Sequence, residues 1–130
     1  MKRIALLLCC LLALAFAGCT HGSYAVRNAV EQNGNDSMAM RYDTFNGYKA
    51  TSIRLDEGQT CTVYVDIVSD EGELNLSATG EDGESYYQGT NLPTSSFSFL
   101  LGRAGRYEIK AEGRNHSGSY KIKWEIEEEK

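Results

Sequence analysis

Residues 61–78 read CTVYVDIVSDEGELNLSA. Cys61, Val63, Val65 and Ile67 alternate with polar residues, and Leu74, Leu76 and Ala78 resume the alternation after Ser69-Asp70-Glu71-Gly72. A period of two sends successive side chains to opposite faces of a strand, whereas a helix repeats every 3.6 residues. The stretch therefore predicts two strands, each with one apolar face, joined by the loop 69–72. Pairing across that loop sets Ile67 opposite Leu74 and Val65 opposite Leu76. Cys61 shares the apolar face, so it is expected to be a buried, unreactive core residue.

The same period governs the flanking sequence. Met38, Met40 and Tyr42 alternate with Ala39, Arg41 and Asp43, then comes Asn46-Gly47, a strong two-residue hairpin signal, and Ile53 and Leu55 follow. That turn would set Met40 against Ile53 and Met38 against Leu55. Asp82-Gly83 predicts another tight turn, with Ala78 facing Tyr87. Phe97, Phe99 and Leu101 share one face, as do Tyr107, Ile109 and Ala111, and then Tyr120, Ile122, Trp124 and Ile126. A loop at Gly113–Gly118 would join the last two strands and set Glu108 against Lys123, Arg106 against Glu125 and Lys110 against Lys121. About eight strands with no helical stretch between them predict an all-β fold, an antiparallel β-sandwich, over residues 37–130. Its expected core centres on Val63, Val65, Leu76, Phe97, Phe99, Tyr107, Ile122 and Trp124. The closing pattern, Phe97-Ser-Phe, Gly105-Arg-Tyr, Gly118-Ser-Tyr and Trp124, resembles jelly-roll-like sandwiches such as bacterial pre-peptidase C-terminal domains. That resemblance implies a non-catalytic module on an exported protein.

The N-terminus carries an address. Lys2-Arg3 precedes an apolar run from Ile4 to Ala17, which is 14 residues long. That is the form of a secretory signal peptide and is shorter than the roughly 20 residues that span a bilayer. Ala15-Phe16-Ala17 fits ordinary cleavage before Gly18. Phe16-Ala17-Gly18-Cys19 resembles the lipobox of bacterial lipoproteins and is the preferred reading, because the apolar run continues almost to the cysteine. The resemblance implies removal of residues 1–18, a diacylglycerol on Cys19, and export to a bacterial cell membrane or outer membrane. Two or more acyl chains hold stably where one does not. Residues 19–36, with Gly22 and Asn33-Gly34-Asn35 and little apolar pattern, are expected to be the lipidated cysteine and a flexible tether.

Removal of residues 1–18 leaves 112 of the 130 residues, one domain's worth, with 11 basic and 18 acidic residues and a net charge of −7. That balance disfavours nucleic acid as a partner. With Cys19 acylated, Cys61 is the single thiol left, so the fold stands without a disulfide. Only His21 and His116 join it, so no zinc site and no cofactor are expected. His116 lies in Arg114-Asn-His-Ser-Gly118 without a carboxylate partner at a suggestive spacing and reads as a solvated loop residue. No Ser lies in a strand-to-helix Gly-x-Ser-x-Gly setting, and no catalytic residue is assigned. Acids cluster at Asp66, Asp70, Glu71 and Glu73, and at Glu81, Asp82 and Glu84, without EF-hand spacing, and read as solvated turns. Tyr64 and Tyr86 are expected on the polar face of one sheet, where flat rings would stack on a sugar or pack on a protein. Two functions follow: a membrane-anchored binding or scaffolding module with a protein partner, or a tethered module for carbohydrate or cell wall.

Overall fold

The structure, a computed structural model, describes residues 20–128. The signal segment and Cys19 lie outside them. The chain forms β1 (Thr20–Arg27), β2 (Val30–Asn33), β3 (Ser37–Leu55), β4 (Gln59–Gly80), β5 (Ser85–Gly89), β6 (Ser95–Leu101) and β7 (Gly105–Glu128). All pairings are antiparallel.

β3, β4 and β7 are 19, 22 and 24 residues long, several times the usual length of about five to six. They stay together because β7 pairs with β3 on one side and β4 on the other. The register slips between Tyr42 and Gly47 in β3 and between Ser69 and Glu73 in β4, in both cases beside Gly113–Gly118 of β7. Bulges bend a strand, and bulges aligned across three neighbours fold the ladder over itself.

Two layers result. The first contains β2, Ser37–Tyr42, residues 118–128, residues 59–69 and β6; the second contains β1, residues 44–55, residues 105–114, residues 73–80 and β5. Their inner faces share one core. Met38, Val63, Val65, Ile122 and Trp124 come from the first, and Ile53, Leu74, Leu76, Tyr107 and Ile109 from the second. Phe97 and Phe99, expected in the core centre, are partly buried against it. They help close one open edge of the sandwich, where Tyr87 of β5 stacks on Phe99 of β6 with centroids 4.7 Å apart and planes at 3°. The opposite edge carries a polar cluster beside the exposed Val26 and Val30. Lys49 pairs with Glu31 and lies 5.5 Å from the Tyr24 ring centre, and the Tyr24 hydroxyl donates to Glu31. Burial lowers the Lys49 pKa from its ordinary value.

Cys61 is fully buried, and burial pushes its thiol up to about 11, so the reactive thiolate is scarce at neutral pH. Ala78 faces Tyr87 as the turn chemistry predicts. Three expected hairpins are corrected. Met40 pairs with Tyr120 and Ile53 with Tyr107; Ile67 pairs with Tyr120 and Leu74 with Gly113; Glu108 lies between Ser52 and Thr79, and Arg106 opposite Arg54. At each place the chain bends and does not reverse. A two-residue turn needs positive φ at its first position, and the type I′ turn favoured by Asn-Gly at both, but of Asn46-Gly47 only Gly47 has it, with φ 111°.

Six expected strands thus merge in pairs into β3, β4 and β7, and two persist as β5 and β6. The segment expected to be a coil after Cys19 supplies β1 and β2. The side chains of residues 21–27 and 30–33 are exposed, and the two strands are held by backbone pairing to the edge of β3. Such an edge strand satisfies unpaired peptide groups without needing an apolar pattern.

Candidate functional site

The outer face of the second layer has a defined side-chain lattice. Residues directly opposite in the ladder form cross-strand rows. One row runs His21, Ala50, Lys110, Ser77, Gln88; the next runs Ser23, Tyr48, Glu112, Asn75; Ser52, Glu108 and Thr79 make a third. The small residues Ala50, Ser77 and Ser52 sit between larger ones. Around Ser77 lies a shallow depression, and Asn75, Ser77, Gln88, Lys110 and Glu112 line it. Lys110 Nζ sits 5.2 Å above the centre of the Tyr48 ring, a cation–π contact that orients the amine. The His21 ring meets the edge of Tyr48 at 6.5 Å. Asn75 accepts a 2.8 Å bond from the Asn91 backbone N–H, so its side chain is held by the loop between β5 and β6. The face therefore presents an amine, a carboxylate and two amides around Ser77.

A second polar group lies inside. His116, expected to be solvated, is completely buried at the common bend of the three long strands. Tyr42 Oη lies 2.5 Å from its Nδ1 and Ser69 Oγ lies 2.8 Å from its Nε2. The Ser69 hydroxyl also reaches the Leu92 carbonyl at 2.8 Å. A carbonyl can only accept, so the single Ser69 proton goes to Leu92 and His116 Nε2–H donates to Ser69. Nδ1 is then the acceptor for the Tyr42 hydroxyl. Burial lowers the His116 pKa, against a smaller opposing effect of Asp70, and burial raises that of Tyr42. A nucleophilic serine donates its proton to the histidine. Here the direction is reversed, with the imidazole fully buried and Ser69 partly buried, so the group braces the bend.

Tyr64 is 43% exposed on the first layer, flanked by Ser98 and Lys123. Tyr86 is on β5 in the second layer, half-buried edge-on against Tyr107 at 5.0 Å. The expected two-tyrosine platform is not formed: the bend divides the strands between layers, and Gly80 leaves room for Tyr86 to turn into the end of the core. Cys19 lies outside the described residues. Among the described residues no group of three or more His, Cys, Asp or Glu is placed to hold a metal, and no helix is long and apolar enough to cross a membrane. Sequence reasoning missed Tyr48, Lys110 and Glu112. Each lies at an outward position of a strand, but their juxtaposition depends on β7 lying between β3 and β4.

No protein-family model and no curated protein sequence matches the chain. Several solved structures are similar to it in outline. One is described as "CBM4 structure and function", with 13% identity, a TM-score of 0.45 and coverage of 88% of this chain and 83% of that one. Another is the CBM22-1 xylan-binding domain of Xyn10C from Paenibacillus barcinonensis, with 11% identity, a TM-score of 0.41 and coverage of 85% and 93%. A third is TmCBM61 in complex with β-1,4-galactotriose, with 12% identity, a TM-score of 0.41 and coverage of 85% and 87%. Likeness at this level transfers no ligand to this chain.

Proposed function

We propose that this chain is a membrane-anchored bacterial envelope lipoprotein whose sandwich is a non-enzymatic module for carbohydrate. The carrying observation is the outer face of the second layer, where Asn75, Ser77, Gln88, Lys110 and Glu112 line one depression. Sugar hydroxyls donate and accept at once. The amides of Asn75 and Gln88 do both, Glu112 accepts and Lys110 donates. Tyr48 lies beneath the Lys110 amine and holds it in place. A protein partner is the second reading, and it would use the first layer, where Tyr64, Val68 and Leu100 are exposed.

The anchor is the acylated Cys19. β1 starts at Thr20, so the module rides directly against the bilayer, with no long coil between. Mass spectrometry of the mature protein is expected to find an acylated N-terminal Cys19; an unmodified N-terminus at Gly18 or Cys19 overturns the anchor.

Isothermal titration with soluble xylan, β-1,4-galactan and peptidoglycan fragments tests the ligand. Hydrogen bonds to charged groups contribute about 1.5–3 kcal/mol, so Glu112→Ala should weaken binding at least about tenfold, while Tyr64→Ala leaves it unchanged. Loss of binding in Tyr64→Ala alone would move the site to the first layer. Binding of none of these polysaccharides would reject the carbohydrate reading.

A further inference from the structure

The buried histidine and the outer face are joined by one chain of hydrogen bonds. His116 Nε2 donates to Ser69 Oγ, and Ser69 Oγ donates to the Leu92 carbonyl. The Ser69 N–H donates to Thr94 Oγ1 at 2.9 Å. Leu92 N–H donates to the Leu74 carbonyl at 2.8 Å, and Asn91 N–H to Asn75 Oδ1. Residues 91–94 are thus tied at one end to the histidine and at the other to a lining residue of the depression. We infer that protonation of His116 releases the 91–94 loop and, through Asn75, weakens ligand binding on the outer face of the second layer, making the module sensitive to mild acid. The effect on the ligand rests on the carbohydrate reading above; release of the loop does not.

The physical reason is local. Nδ1 already accepts the Tyr42 proton, so a second proton there leaves the Tyr42 hydroxyl hydrogen without its acceptor and places a charge in the core. Tyr42 from β3 and Asp70 from β4 are the titratable groups that act on the imidazole, and Asp70 alone favours the cation. Hydrating the charge requires the bend to open, which withdraws the donor from Ser69. The folded imidazole titrates below its ordinary value of 6.5, so the open form binds the proton more tightly. The closed bend therefore keeps its full stability above about pH 6.5 and loses it as the pH falls below that value.

The test is amide hydrogen exchange on the purified mature protein, corrected for intrinsic rates, alongside glycan titration at each pH. Between about pH 7.5 and about pH 5, protection at Asn91 and Leu92 should fall about tenfold, and polysaccharide affinity with it. His116→Gln offers an oxygen for Tyr42 and an N–H for Ser69 but does not titrate, so its protection should stay level. Tyr42→Phe frees Nδ1 for the proton, so the transition should move to higher pH. Unchanged protection in the native protein overturns the inference. So does a fall that persists in His116→Gln, or an unshifted transition in Tyr42→Phe. A loop that responds while affinity stays constant overturns the coupling to the face. A responding loop with no polysaccharide bound at any pH supports the release and rejects the carbohydrate reading instead.

Discussion

Trp124→Ala is expected to unfold with about 3–5 kcal/mol less free energy than the native chain, the usual cost of truncating a buried tryptophan. Trp124 is 7% exposed, on the inner face of β7 opposite Val63. Its backbone N–H donates to the Asp36 carbonyl at 2.9 Å, so the strand is held in place while the side chain is removed, and collapse around the gap is limited. A domain of this size has typically about 5–15 kcal/mol of stability, so the loss is a large fraction of it. Urea unfolding followed by circular dichroism measures the effect. The native protein, with this one tryptophan, should show a blue-shifted emission that moves to the red on unfolding. A loss below about 1 kcal/mol, or a native emission already at the solvent position, would show that the core is not closed over Trp124.

Gly118→Ala is expected to be nearly as severe for a different reason. Gly118 has φ 138° and pairs with both Tyr42 and Ser69, where the three long strands bend. A Cβ there would overlap the Val68 carbonyl oxygen. The backbone conformation costs a non-glycine residue about 1–3 kcal/mol, and relieving the overlap costs about 1–3 kcal/mol more, as overpacking generally does. Gly102→Ala is the control: nothing lies within 4 Å of its added Cβ, and its φ is ordinary. Thermal unfolding should separate the two clearly. Equal melting temperatures for both variants would mean that the bend does not depend on a glycine at 118.

The all-β class, the buried faces and Cys61 were legible in residues 37–130 because a half-buried strand writes its environment into alternate positions. That signal is local and survives any rearrangement of the strands. The turns were not legible in the same way. Asn46-Gly47, Ser69–Gly72 and Gly113–Gly118 each carry the glycine chemistry of a reversal, and the same positive φ serves a bulge. Which of the two forms depends on whether a third strand runs past, and β7 does so only in the assembled fold. The edge pairing of β1 and β2, the sealing of His116 and the meeting of Tyr48, Asn75, Lys110 and Glu112 on one face all follow from that long-range choice. Pairing and register between strands distant in the chain leave no trace in a residue's sequence neighbours, unlike the Ala78–Tyr87 pairing that the local turn sets. The sequence by itself determined the all-β class and most of the apolar faces, and only the tertiary structure decided where the long strands bend, how far Phe97 and Phe99 are covered, and which side chains the strands bring together.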